Sequence, residues 1–276
     1  MTGTVEVTHE LGAFLRTRRE RLDPHELGMP QRRRSRRTPG LRREEVAELA
    51  GVSIDYVVRL EQGRGLRPSP EVLEALAGAL RLNPDERMYL FDLARQRLPD
   101  DGKPATEASP ALVRLVRDLA PLPAMVLNHR HDILAWNPQM SRLLLDFDTL
   151  PSAQRNALWL CLLHPDMITF YGDRETIVRQ GIAGLRSAWA AHPDDGVLAA
   201  LIDEFRTTSA EFAALWEQRD VRVQGRGYKT MHHPDAGAVT VSYETLMPLQ
   251  DPDQRLVIYR AADPQSQAAL DRLSGS

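Results

Sequence analysis

The sequence predicts a mainly α-helical N-terminal part followed by an α+β part that contains an antiparallel sheet. Three observations indicate this. Helical spacing of apolar residues recurs up to about residue 97. Runs of β-branched and aromatic residues, separated by Gly, Pro and Asp, appear only after residue 110. The chain has 276 residues, of which 42% are hydrophobic, enough for two globular cores. Residues 98–110 are rich in proline, acidic and small residues and are therefore the expected linker between domains 10–97 and 111–262.

Five helices are expected in the first domain. Residues 1–9 are expected to be a disordered tail, and the first helix is expected over 11–22, with its arginines off the apolar face. The next two helices lie within 41–63, LRREEVAELAGVSIDYVVRLEQG. Ser69 before Pro70, and Asn83 before Pro84, are typical of the starts of two further helices.

The stretch 41–63 has the pattern of a helix-turn-helix. A short helix ends at Gly51, where a left-handed turn residue is tolerated, and Ser53 is placed to cap a second helix that ends at Gly63. An ordinary helical hairpin inside a larger bundle is the alternative. In the DNA-binding interpretation the second helix lies in the major groove, with phosphate contacts from the helix before it. The residues expected to contact DNA are Arg42, Arg43, Ser53, Ile54, Asp55, Tyr56 and Arg59.

Charge is concentrated near this hairpin. The chain carries −3 overall, yet residues 16–43 contain eleven arginines against three acidic residues. A local basic block on an acidic protein indicates a polyanionic partner for that block. The connector 23–40 is either a flexible solvated run or an arm along the DNA backbone or minor groove. In the second case, salt-dependent affinity comes from Arg32, Arg33, Arg34, Arg36 and Arg37.

The second domain begins with a helix and two short strands and ends in β-strands. His129 and Arg130 lie in the turn between the first two strands, and Asn137 is expected to cap a helix that ends near Phe147. Helical spacing then covers 151–163, 173–192, 196–207 and 209–218. Strands are expected at 221–224, 228–232, 238–246 and 255–261, with HPDAG at 233–237 as a hairpin turn.

Several of these sequence segments resemble segments of known families. The hairpin and its R-L-E-x-G exit resemble the Xre-type helix-turn-helix. The longer stretch RRTPGLRREEVAELAGVSIDYVVRLEQGRGLRPSPEVLEALAGALRLNPDER resembles the MmyB-like transcription regulators, as do LPAMVLNHRHDILAWN and GYKTMHHPDAGAVTVSYETL. The resemblance implies a DNA-binding domain and a PAS-like ligand-binding domain. It also implies a fatty-acid-like ligand between the sheet and the helices.

An apolar ligand needs an apolar lining and a polar group for its head. Aromatic residues of the second domain either line such a cavity or form plain core. The candidates for lining are Trp136, Trp159, Phe170, Trp189, Phe212 and Trp216, and those for the head group are Arg179, Arg186, Lys229 and His233.

Other chemistry is not expected. A metal cluster of His164, Asp166, His232, His233 and Asp235 has no recognised ligand spacing. No cofactor is expected, and no serine lies in a nucleophile elbow with a histidine and an acid. Cys161 is the only cysteine, so no disulfide forms within the chain. We expect an inert thiol there, with a single-thiol redox sensor as the alternative.

The sequence is therefore interpreted as a cytoplasmic, ligand-responsive transcription regulator that binds operator DNA as a homodimer, without membrane association. One alternative is an enzyme that its N-terminal bundle merely localises. Another is a regulator whose PAS-like domain docks a protein partner, such as a sigma factor, without a small ligand.

Overall fold

The computed structural model describes residues 2–24, 40–64, 67–94, 105–222 and 225–275. These residues fall into two compact units. The first holds Met1–Asp100, Trp189–Ala199 and Trp216–Arg222. The second holds Asp101–Ala188, Ala200–Leu215 and Val223–Ser276. The mainly α plus α+β class is confirmed.

Five helices build the N-terminal part of the first unit. They are α1 (Thr2–Arg21), α2 (Arg43–Ala50), α3 (Ile54–Glu61), α4 (Pro70–Ala79) and α5 (Pro84–Ala94). The prediction of a disordered tail over 1–9 is wrong for the described residues, because α1 begins at Thr2 and buries Val7 in the core. Tyr89 is the buried aromatic of α5 and packs edge-on against Phe14, whereas the adjacent Met88 is exposed.

Helix α1 lies very close to the end of α3. A Cβ atom on Gly12 would come within 2.7 Å of the carbonyl oxygens of Leu60 and Glu61, so only glycine permits this approach. The arginines of α1 were expected outside the core, and two of them are buried. Arg19 donates to Glu61 and to the Leu41 carbonyl oxygen.

Arg18 is the second buried arginine. It forms an ion pair with Glu86 at 2.8 Å and donates to the carbonyl oxygen of Arg219. Arg219 in turn pairs with Glu10, at 3.3 Å. The segment Trp216–Arg222 is thus held within the first unit by charged contacts as well as by the buried Val221.

The second unit contains one antiparallel sheet of five strands, with helices before, between and after them. The strands are β1 (Ala124–Asn128), β2 (Ile133–Trp136), β3 (Arg226–His233), β4 (Gly237–Leu246) and β5 (Gln254–Ala261), in the order β2-β1-β5-β4-β3. The helices are α6 (Pro110–Asp118), α7 (Pro138–Leu143), α8 (Ala157–Leu163), α9 (Arg174–Ala191), α10 (Gly196–Thr208), α11 (Ala210–Glu217) and α12 (Pro264–Ser274). Parts of α9, α10 and α11 belong to the first unit.

The two faces of the sheet differ in chemistry. Helix α6 packs its Leu112 and Val116 against one face, formed by Ala124, Val126, Leu256 and Ile258. Strand alternation places the next residues along each strand on the opposite face. There the register aligns Lys229 with Val241, and Tyr243 with Tyr259. A charged residue thus lies among aromatic side chains on this face.

Some predicted boundaries in this region are wrong. Helix α7 ends at Leu143, and Phe147 begins a short 3-10 helix. Helix α8 begins only at Ala157, because Asn156 caps it by accepting from the backbone N–H groups of Leu158 and Trp159. Val221 and Arg222 are not in a strand, and β3 begins at Arg226. Helix α12 lies beyond the predicted elements, and its Ser266 accepts from the backbone N–H of Thr240 in β4.

Candidate functional site

The start of α3 forms an exposed, polar surface. Ser53 caps the helix by accepting from the backbone N–H of Tyr56 at 3.1 Å. Ile54 is 52% exposed, and Asp55 and Arg59 are exposed as well. The buried side of the helix carries Val57 and Leu60, and burial raises the pKa of the half-buried Tyr56. The first turn of α3 therefore presents its side chains away from the core, as major-groove contact requires.

The angle between α2 and α3 is fixed by a tight turn. Gly51 adopts the left-handed conformation with φ 64°, and its N–H closes the end of α2. Arg42 precedes α2, and its backbone N–H donates to Glu45 at 2.7 Å. The Gly51 N–H donates to carbonyl oxygens at the C-terminal end of α2, and the Arg42–Glu45 bond satisfies a backbone N–H at its N-terminal end.

Glu61 is the buried centre of an arginine network below this surface. Its side chain is 2% exposed and accepts from Nε of Arg19 at 2.6 Å and from Nε of Arg43 at 2.7 Å. Arg16 lies 3.7 Å away. A buried carboxylate requires such partners. Arg43 therefore has a structural contact in addition to its predicted phosphate contact, and its side chain remains partly exposed.

The remaining arginines that were predicted to contact DNA are Arg42 and the five arginines of the proposed arm. Arg42 is half-buried and pairs with Glu44 at 3.3 Å. The proposed arm, with Arg32, Arg33, Arg34, Arg36 and Arg37, lies outside the described residues. Its role stays a prediction.

The second unit has a pocket of about 750 Å³ between the α7 end, the 164–170 segment and the β3–β4 turn. Its apolar lining includes Leu144, Leu145, Met167, Phe170 and Leu273. Its polar lining includes His164, Asp166, His232, His233 and Asp235. These are the five residues whose spacing did not predict a metal site.

His233 lines this pocket with both ring nitrogens engaged. Nδ1 accepts from the backbone N–H groups of Asp235 and Ala236. Nε2 therefore carries the hydrogen and donates to the carbonyl oxygen of Arg142 at 2.9 Å. These bonds stabilise the turn between β3 and β4. Both ring nitrogens are therefore occupied, and mainly the face of the ring remains for contact with a ligand.

Lys229 has different surroundings. Its Nζ donates to the hydroxyl oxygen of Tyr259 at 3.1 Å. Three aromatic rings surround the ammonium, with their centroids 5.0 Å (Tyr243), 5.4 Å (Tyr259) and 5.9 Å (Tyr171) from Nζ. Cation–π attraction operates at these distances. Phe170, which lines the pocket, contacts Tyr171 edge-on, with ring centroids 5.2 Å apart.

The remaining predicted ligand residues are dispersed. Trp136 packs on Phe147 and under Arg155, and Trp159 packs on His164. Phe212 packs on Phe205. Arg179 pairs with Glu175, whereas Arg186 is fully buried. Trp189 and Trp216 belong to the first unit.

Asn137 acts as a helix cap, as expected. Its Oδ1 accepts from the backbone N–H groups of Met140 and Ala124, at 3.0 and 3.1 Å. Its Nδ2 donates to the carbonyl oxygens of Val116 and Leu122. The amide is saturated by these bonds, which join α6, β1 and α7.

Two further groups beside the sheet were not predicted as site residues. His131 has a positive φ of 69°, and its buried Nε2 has no hydrogen-bond partner within the described part of the chain. Burial, then the charges of Arg255, His129 and Lys229, lower its pKa to about 3. Cys161 is buried next to Tyr171, and burial raises the pKa of its thiol. Neither residue lies in a recognised motif, and their burial depends on segments distant in the chain, so local sequence patterns do not predict their surroundings.

Comparison with protein-family models identifies both halves. Residues 108–273 match the MmyB-like transcription regulator ligand binding domain, and residues 10–90 match a helix-turn-helix domain. The chain belongs to the MmyB-like transcription regulators. Comparison with the curated proteins gives no match.

This MmyB-like regulator thus combines a DNA-binding domain with a ligand-binding domain. Both matched families are transcription-regulator domains and not enzymes, so the interpretation as a localised enzyme is excluded. Among the described helices, none combines the length and apolarity needed to cross a bilayer.

Proposed function

We propose that this regulator reads an operator through the first turn of α3 and binds a small apolar, fatty-acid-like effector in its second unit. The observation that carries the DNA-binding part is the outward presentation of Ile54, Asp55 and Arg59 beyond the Ser53 cap. Asp55 is suited to accept from a cytosine amino group, and Ile54 is suited to contact a thymine methyl group. Arg42 and Arg43 are proposed phosphate contacts.

The effector site is supported by the pocket beside Phe170 and by the tyrosine-lined lysine beyond it. A volume of about 750 Å³ is within the usual range for small-molecule sites. We assign the ligand to this region, with Phe170 as apolar lining. The PAS-like architecture implied by the resemblance is compatible with a five-stranded antiparallel sheet flanked by helices.

We further propose that the regulator acts as a homodimer. Leu246, Met247 and Leu249 at the end of β4 are exposed, the last at 91%. Exposed apolar residues in succession are typical of association surfaces. A two-fold dimer would present two α3 helices to half-sites about 34 Å apart on palindromic DNA. Light scattering measures the mass of the native protein and of a Leu249→Asp variant, which is expected to lose the dimer. A variant that keeps the dimer mass would show that the interface does not include Leu249.

DNA binding is tested with an operator selected from a random duplex library. The triple variant R42A/R43A/R59A is expected to lose about 100-fold in operator affinity at physiological salt, roughly 1 kcal/mol for each arginine. The matched control is R114A/R117A/R260A, which removes three exposed arginines from the second unit. Retained affinity in a folded R42A/R43A/R59A protein would overturn the assignment of α3.

The arm is tested separately by changing Arg32, Arg33, Arg34, Arg36 and Arg37 together to Ala. The slope of log affinity against log salt is expected to fall by about 0.9 for each phosphate contact removed. Discrimination between operator and random DNA should change little, because phosphate contacts carry no sequence information. An unaltered slope would favour the solvated-run alternative.

A further inference from the structure

Residues 218–222 belong to the first unit, although they lie far along the chain from its five N-terminal helices. They follow α11 and are outside the range 10–97 that the sequence predicts as the DNA-binding domain. Val221 is 3% exposed and is part of the hydrophobic core that α1 to α5 build. The core of the DNA-binding unit is therefore completed by a segment from the second half of the chain. We call residues 218–222 the strap.

The strap leaves α11 through a sharp turn at Arg219. The φ of this residue is 52°, in the left-handed region that residues other than glycine rarely adopt. Two hydrogen bonds support the turn. The backbone N–H of Arg219 donates to the Trp216 carbonyl oxygen at 3.3 Å, and its Nη1 donates to the Glu217 carbonyl oxygen at 3.0 Å. Both bonds return to the last turn of α11, so they fix the direction in which the strap departs.

Three charged residues of α1 hold the strap. Glu10 pairs with Arg219 at 3.3 Å. Arg18 donates to the carbonyl oxygen of Arg219. Arg21 pairs with Asp220 at 2.8 Å and also donates to a strap carbonyl oxygen. The contacts with main-chain oxygens define the path of the strap backbone, and the ion pairs fix its side chains.

Helix α1 contacts the end of the recognition helix α3 on its opposite side. Gly12 permits the close approach to α3. Arg16 donates to the carbonyl oxygen of Glu61 at 3.3 Å, and Arg19 donates to the Glu61 carboxylate at 2.6 Å. At about 3.6 residues per turn, these three α1 residues lie on one side of the helix and the three strap-binding residues lie on the other. Helix α1 is therefore packed between the strap and the end of α3.

We propose that the strap positions α3 for operator binding, acting through α1, so that operator affinity depends on whether the strap is seated. The inference rests on the proposed operator binding and assigns positioning residues to it. These residues are Glu10, Arg18, Arg21, Arg219 and Asp220. The strap is seated in this structure while the first turn of α3 is exposed. The seated state is therefore the one that we assign to high operator affinity.

The strap also continues directly from the second unit. Helix α11 leads into it, and the residues of α11 up to Leu215 belong to the second unit. There Arg174 holds α11 through a bidentate pair with Glu211, at 2.9 and 2.8 Å, and its Nε donates to the Cys161 carbonyl oxygen. Because α11 is fixed at one end and continues into the strap at the other, a shift of α11 would act on the strap. An effector thus has a route to operator affinity.

The test reverses the charge of one strap residue. Asp220→Arg places two arginines side by side, since Arg21 is the partner of Asp220. A strap that is seated only about 10% of the time lowers operator affinity about tenfold, and we expect a loss of this size. A direct charge effect on DNA would act in the opposite direction, because the variant is more basic than the native chain. Fluorescence anisotropy measures the affinity, and native or higher affinity in folded Asp220→Arg would overturn the proposal.

A charge swap and a matched control separate positioning from other effects. Combining Arg21→Glu with Asp220→Arg restores an ion pair and is expected to recover affinity to within about threefold of native. A double variant as weak as Asp220→Arg would overturn the role of this pair. The control is Glu74→Arg, which adds the same charge at an exposed pair with Arg87 in the same unit. It should not lower operator affinity, and an equal loss there would contradict a specific role of the strap.

A second measurement needs no variant of the strap. Amide hydrogen exchange of peptides that cover residues 218–222 is followed in the native full chain, free and with saturating operator. Because coupling is reciprocal, a strap whose release weakens operator binding tenfold should open about tenfold less often when operator is bound. The R42A/R43A/R59A protein at the same duplex concentration is the control and should show no slowing.

The outcomes distinguish the strap from the proposed function beneath it. Native protein that binds operator with unchanged exchange of the strap would overturn the positioning role and leave operator binding in place, even if Asp220→Arg does not fold. Native protein that selects no operator from the library would overturn the proposed function itself.

Discussion

At the scale of single residues, Glu61 explains why an R-L-E sequence ends the second helix of the hairpin. Leu60 is buried in the core, whereas Glu61 faces α1 and accepts from Arg19 and Arg43. The same residue thus joins three helices. Water cannot take the place of these arginine partners, because only 2% of the Glu61 side chain is exposed.

Glu61→Gln is expected to destabilise the first unit by about 3 kcal/mol, because the buried Arg19 would lose its buried counter-charge and keep only the more exposed Glu20 as an acidic partner. Urea unfolding followed by circular dichroism measures the change. Glu74→Gln is the control, since Glu74 pairs with Arg87 on the surface of the same unit. A loss for Glu61→Gln no greater than that for Glu74→Gln would contradict the structural role of the network.

His131 links pH to the stability of the second unit. Its pKa is about 3 in the folded chain, against an ordinary value of 6.5. Between these values the unfolded state binds more protons than the folded state, so unfolding becomes easier as pH falls. The stability contributed by the neutral ring is fully present above pH 6.5 and is lost as pH falls toward 3.

Replacing His131 by Asn should flatten this pH dependence. One group with such a shift contributes up to about 1.4 kcal/mol per pH unit within the window. Asn tolerates the positive φ of this position, which makes it the matched replacement. Denaturation of both proteins from pH 7 to pH 4 measures the difference, and exposed His9→Asn serves as the control. Parallel curves would mean that His131 titrates normally.

At the scale of elements, Ser53 at the start of α3 combines a stabilising cap with a proposed contact to DNA. Ser53 stabilises the helix through its cap bond to Tyr56, while its neighbours face outward. The cap needs only a side-chain oxygen, whereas DNA binding also depends on charge. The two roles are therefore separable by substitution.

Ser53→Ala is expected to lower the free energy of unfolding of the first unit by about 1 kcal/mol, through loss of the cap. Ser53→Asp should retain native stability, because aspartate caps equally well and favours a helix N-terminus. Operator affinity of Ser53→Asp should nevertheless fall, through repulsion from phosphate. Thermal melting and fluorescence anisotropy measure the two effects. Native affinity in Ser53→Asp would place the start of α3 away from the DNA backbone.

At the scale of the whole molecule, an effector changes operator affinity only through its different affinities for the states that bind DNA well and poorly. The coupling is reciprocal. A tenfold change in operator affinity caused by a fatty-acid probe such as dodecanoate therefore requires a tenfold change in dodecanoate affinity caused by the operator, in the same direction.

Titrating dodecanoate with and without saturating operator tests this reciprocity. Dodecanoate at 100 times its Kd is also expected to stabilise the chain by about 2.7 kcal/mol. The control replaces the operator by random duplex DNA, which should change the affinity for dodecanoate less than the operator does. Binding of dodecanoate without any change in operator affinity would mean that this ligand is not the effector.

Much of the DNA-binding half was predictable, because its signals are local. Ser53, Ser69 and Asn83 bond to backbone groups three residues away, as their spacing indicates. Asn137 was likewise recognised as a cap. The strands β3 to β5 were predicted from their alternation and composition, with errors at their ends where neighbouring segments decide the boundary.

The sequence by itself determined the five N-terminal helices, the hairpin turn at Gly51 and the change to an α+β domain, since each depends on residues close together in the chain. Only the tertiary structure decided that Arg18 and Arg19 are buried and that Lys229 meets Tyr171 and Tyr259. Glu61 lies 42 residues from Arg19, and Tyr259 lies 30 residues from Lys229. A charged side chain on a helix or strand is solvated unless a distant partner encloses it, and local periodicity carries no information about that partner.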